Sequence, residues 1–92
     1  MPEPLVVASD VRRVLRAVIR PDDPDEGLAV HRLAERADTS TRTVYRCLRE
    51  DGAETLKLDL ADRLVMACGR TLAEIGCRVV IEDGRVIDYA DA

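Results

Sequence analysis

The sequence predicts a mainly α domain, five helices closed by a C-terminal β-hairpin, and three observations predict it. Apolar residues recur at helical spacing in segments between residues 9 and 76, bordered by hydroxyl, glycine or proline signals. After Gly76 the period becomes that of strands: Arg78-Val79-Val80-Ile81-Glu82 and Arg85-Val86-Ile87-Asp88-Tyr89 flank Asp83-Gly84, a dipeptide that favours tight hairpins. Finally, 92 residues, 47% of them hydrophobic and 35% charged, suit one small folded unit. The expected organisation is a flexible lead-in over 1–8, a helical domain over 9–76, and a hairpin over 77–92 that serves packing or dimerisation.

The lead-in carries prolines at 2 and 4 and reads as extended or frayed. Ser9 or Asp10 then caps a first helix whose stripe is Val11, Val14, Leu15, Val18 and Ile19, and Pro21 ends it. Residues 21–27 form an acidic loop, with Asp22, Asp23, Asp25 and Glu26 between two prolines and Gly27. A second helix over 28–37 buries Val30, Leu33, Ala34 and Ala37, and Asp38-Thr39 breaks it. Ser40 caps a third helix over 41–50, stopped at Asp51-Gly52 by a left-handed glycine. After a short link, Asp59 caps a fourth helix over 60–68 that Gly69 closes. Thr71 and Glu74 have capping-box spacing at the start of a short fifth helix ending at Gly76. A two-residue hairpin loop would then set Ile81 opposite Val86 and Val79 opposite Asp88.

Composition removes several classes of function. The longest apolar runs, over 5–8 and 79–81, are too short to span a bilayer, and the start lacks the basic and apolar stretches of a signal peptide. Cys47, Cys68 and Cys77 are odd in number, widely spaced and without a CxxC pair, which argues for reduced thiols in a cytoplasmic protein without a structural zinc. No enzyme is expected: His31 is the one histidine, and neither GxGxxG nor GxSxG occurs. No catalytic residue, metal or cofactor is therefore assigned.

The most informative stretch is 33–48, two short helices around a tight break, with the small Ala34 where they must cross. Projected at about 100° per residue, Val44, Cys47 and Leu48 form an inward arc, and Arg42, Tyr45, Arg46 and Arg49 the opposite one. The net charge of the chain is −4, yet residues 40–49 carry three arginines and no acid. Guanidinium groups reach phosphates and grip the acceptor edge of guanine with two bonds. Ser40 and Thr41 stand at the helix start, where hydroxyls and amides meet phosphate. Tyr45 offers its hydroxyl to phosphate or its ring to a thymine methyl. Arg12, Arg13, Arg16 and Arg20 either add phosphate contacts or form the solvated face of the first helix.

These residues resemble the helix-turn-helix of lac-repressor-type and Cro/repressor-type regulators, sharing Ala34, Ser40 and the run Thr43-Val44-Tyr45-Arg46. Residues 58–69 and 71–75 resemble the fourth and fifth helices of small phage-type (XRE-type) repressor domains, so the likeness spans about 10–76. The chain departs from the pattern at the turn, where Asp38 replaces the usual Gly and Thr39 the usual Val. The resemblance implies a DNA-binding transcriptional regulator, a repressor or Cro-like protein, with Ser40, Thr41, Arg42, Tyr45 and Arg46 at the major groove of double-stranded DNA. Arg49 joins them from the projection. A homodimer through the hairpin would double the base contacts on a palindromic site. The rival expectation is a non-enzymatic protein-binding module, a degenerate helix-turn-helix serving as adaptor or antirepressor, which the acidic net charge and two-faced hairpin favour.

Overall fold

Twice in this chain a three-residue strand runs straight into a helix. In the computed structural model, which describes residues 4–80 and 85–88, β1 (Leu5–Val7) leads into α1 (Ala8–Val18) and β2 (Thr55–Lys57) into α4 (Leu58–Ala67). The two strands pair antiparallel with Val6 opposite Leu56. Each helix start is tied to the other strand's chain: Ala8 N donates to Glu54 O at 2.9 Å and Leu58 N to Pro4 O at 3.1 Å. Backbone pairing thus replaces the side-chain caps expected from Ser9 or Asp10 and from Asp59, none of which caps its helix. Asp10 is instead committed to β3, and Asp59 forms an ion pair with Arg63 one turn on, at 3.3 Å.

The remaining elements are α2 (Glu26–Arg36), α3 (Thr41–Leu48), α5 (Leu72–Ile75), β3 (Arg78–Val80) and β4 (Val86–Asp88). The described residues therefore form a mainly α fold of five helices with a four-stranded antiparallel sheet in the order β2-β1-β3-β4. This corrects the flexible lead-in: residues 5–7 are an interior strand of the sheet, and Val6 is fully buried. It also corrects the link before the fourth helix, which is strand β2, and it pairs the first strand of the hairpin, β3, with β1. Leu56, Val6 and Val79 stand side by side on the inner face and are all buried.

The hairpin register differs by one residue from the expected one. Val80 pairs with Val86, Val79 with Ile87 and Arg78 with Asp88. The register also answers to β1, which requires Val79 beside Val6 on the inner face. The expected Asp83-Gly84 turn, Ile81 and Tyr89 lie outside the described residues.

The core is aliphatic: Val11, Leu15 and Ile19 of the α1 stripe meet Val30, Leu33 and Ala34 of α2, Val44 and Leu48 of α3, and Ala61, Leu64 and Val65 of α4. Val18, expected in that stripe, is 53% exposed because α1 ends there. Three helices close in a similar way, with a left-handed residue at or just past the cap and two backbone bonds back into the last turn: Asp38 after α2, Gly69 after α4 and Gly76 after α5. Thr71 caps α5 by accepting from Glu74 N at 3.1 Å. The Glu74 carboxylate pairs with Arg70, so the expected box is half formed. No helix among the described residues is long and apolar enough to cross a membrane.

Candidate nucleic-acid interface

The site begins at the turn between α2 and α3. Asp38 adopts φ 53°, the left-handed conformation a glycine would take with less strain. Its amide donates to Glu35 O at 3.2 Å, and Thr39 N to Ala34 O at 2.9 Å, which winds the chain tightly off α2. Arg63 of α4 locks this turn: its Nη1 donates to Ala37 O at 2.9 Å and Asp38 O at 2.7 Å. Ala34 and Ala37 are buried, and their small side chains let α2 and α3 approach closely. Ser40 then caps α3 as expected, accepting from Thr43 N at 3.1 Å, with Thr43 Oγ1 2.9 Å away.

Beyond the cap, α3 has the two faces that its spacing predicts. Val44, Cys47 and Leu48 are buried, while Arg42, Tyr45, Arg46 and Arg49 are exposed. Thr41, Arg42, Tyr45, Arg46 and Arg49 line one open depression of about 530 Å³. Ser40 is exposed but its hydroxyl is occupied in the cap, so it stands beside this group. Tyr45 is 38% exposed and its hydroxyl leans toward the first turn of α2, 3.9 Å from where a Cβ on Gly27 would stand. Among the described residues, no carboxylate pairs with Arg42, Arg46 or Arg49. The charged pairs lie elsewhere, at Arg16–Glu26, His31–Glu35, Arg63–Asp59, Arg70–Glu74 and Arg78–Asp10. The acidic loop folds on itself at Asp23, whose Oδ1 accepts from Asp25 N at 2.8 Å.

The helix ends at Leu48, two residues before the expected boundary, because Arg49 turns extended. Gly52 acts there by its lack of a side chain rather than by a left-handed φ: a Cβ would fall 2.2 Å from Arg46 O and 3.1 Å from Arg49 O. The chain therefore folds back against the last turn of α3. Arg12 and Arg16 of α1 meet it from inside, donating to Cys47 O at 3.0 Å and Leu48 O at 3.2 Å. These contacts, and that of Arg63, were not legible as site features. The one available signal was that Arg12 and Arg16 lie four apart along the border of the α1 stripe, so that they share a face.

Burial shifts the cysteine thiols toward their protonated form. Burial pushes the Cys47 thiol up, against the pull of Arg46 and Arg12. Burial and the charge of Asp10 push Cys77 up to about 11, so both stay protonated near neutral pH. His31 is a surface residue bonded to Glu35 at 3.1 Å. What the arrangement offers is a cationic, hydrogen-bond-donating surface with one tyrosine, suited to a polyanion. No protein-family model, curated protein or solved structure matches the chain.

Proposed function

We propose that the domain is a helix-turn-helix transcriptional regulator that binds duplex DNA by inserting α3 into the major groove. The observation that carries this reading is the exposed pair Arg42 and Arg46, beside Tyr45, on a helix whose opposite side is buried, with the exposed Arg49 just past its end. An α-helix fits the major groove, and the fork of an arginine matches the O6/N7 edge of guanine. Arg46, between the other two arginines, is the base-reading residue of this proposal, and Arg42 and Arg49 hold phosphates on either side. The acids elsewhere on the chain keep non-specific affinity low. Two copies related by a two-fold axis, joined at the β4 edge, would present two α3 helices to successive major grooves.

Selection of bound sequences from a random duplex pool tests the reading, and a two-part site with fixed spacing is the expected result. On the selected duplex, Arg46→Ala should weaken binding by about 1–3 kcal/mol without altering the fold, as loss of a bidentate base contact does. Absence of any retarded duplex at low salt would reject DNA binding. The second reading, a protein-binding module, is favoured by the outer sheet face, where Leu5, Val80 and Val86, exposed or half-buried, form an apolar row.

A further inference from the structure

A helix leaves its last carbonyl groups without partners of its own, and in α3 two of them are taken by arginines from a different helix. Arg12 Nε donates to Cys47 O at 3.0 Å and Arg16 Nη2 to Leu48 O at 3.2 Å. Arg12 Nη2 also reaches Ala53 O at 3.4 Å, so one guanidinium spans the loop that leaves α3. Arg16 is tied at 3.6 Å to Glu26, the first residue of α2. Both side chains are partly buried, and both bring positive charge to a helix C-terminus, where the helix dipole favours it.

We propose that Arg12 and Arg16 are positioning residues that set the angle at which α3 enters the groove, and that neither touches DNA. The proposal rests on the DNA-binding reading above. With α3 only eight residues long and capped at Ser40, its far end needs a hold from outside. Base readout tolerates errors of only about half an ångström, whereas attraction to phosphate is insensitive to tilt. Loss of the clamp should therefore remove discrimination between sequences while leaving general attraction to DNA in place.

The test uses the full chain carrying Arg12→Leu together with Arg16→Leu, its selected duplex and an unrelated duplex of equal length. With the fold retained by circular dichroism, affinity for the selected site should fall by about tenfold or more. Affinity for the unrelated duplex and the slope of log K against log salt should stay at wild-type values. A salt slope reduced by about 0.9 per arginine would make both residues phosphate contacts and overturn the proposal. Wild-type affinity and preference in the folded variant would overturn it too, leaving a role in stability alone. Should the leucine variant unfold, Arg12→Lys with Arg16→Lys keeps both charges and loses the forks. A reduced preference at unchanged slope then supports the clamp, and wild-type preference overturns it. Failure of wild-type protein to bind either duplex rejects the DNA reading itself, and the clamp with it.

Discussion

Asp10 shows how one buried charge can join distant parts of a small chain. Its carboxylate accepts from Arg78 N at 2.9 Å, Arg78 Nε at 3.0 Å and Arg78 Nη2 at 3.0 Å, tying α1 to β3 across 68 positions of sequence. Burial raises its pKa, but the side-chain and backbone hydrogen bonds of Arg78 and its positive charge outweigh that, and the net direction is below 3.8. A carboxyl whose folded pKa is depressed binds fewer protons folded than unfolded in acid. Its contribution is therefore complete above the unfolded pKa and is lost as pH falls through the folded value. Asp10→Asn should cost about 1–3 kcal/mol at pH 7, the scale of hydrogen bonds to a charged group, and should flatten the acid limb of the stability profile. Urea midpoints at pH 7 and pH 3 check this, and parallel losses in both proteins would remove Asp10 from the acid response. Gly52 acts at the same scale by another route, since its missing Cβ makes room for the carbonyls of Arg46 and Arg49.

At the scale of elements, α3 is too short to be stable alone, because helices of fewer than about 12 residues are marginal in water. It is held by its buried face, by Ser40 and Arg63 near its start, and by Arg12 and Arg16 at its end. The strained point in this frame is Asp38 at φ 53°. A left-handed conformation costs an ordinary L-residue about 1–2 kcal/mol, and Asp less than most. Arg63 binds the backbone oxygen of Asp38 and not its carboxylate, so the lock survives substitution. Asp38→Gly should therefore raise stability by up to about 1 kcal/mol after the entropic cost of glycine, read as a higher melting temperature. A lower one would mean that the carboxylate has a role of its own in the turn.

At the scale of the whole molecule, the sheet backs the helices with its inner face, and β4 is an edge strand among the described residues. The other edge, β2, carries Lys57, a residue that discourages strand addition, whereas Val86 on β4 is 52% exposed. If two copies meet at this edge, Val86→Asp in the full chain should leave the fold intact and shift the protein from dimer to monomer in light scattering. A variant that remains dimeric would move the contact elsewhere. Truncation at Gly76 would be a poor substitute, because it removes Val79 from the core and Arg78 from Asp10.

What the sequence determined by itself was whatever depends on neighbours along the chain. The five helices, the cap at Ser40, the glycine ends at Gly69 and Gly76, and the opposed faces of α3 all follow from periodicity and backbone chemistry within a few residues. Strands β1 and β2 did not show, since three residues hold too little alternation, and their stability comes from partners about 50 positions away. The hairpin register departs from the expected one for a related reason: it answers to β1 as well as to the turn. Tertiary structure alone decided which arginines are free to face a ligand and which are spent on the frame. Arg46 and Arg12 are the same residue type on amphipathic helices. Only the packing of α1 against the end of α3 turns one outward and gives the other a backbone carbonyl to hold.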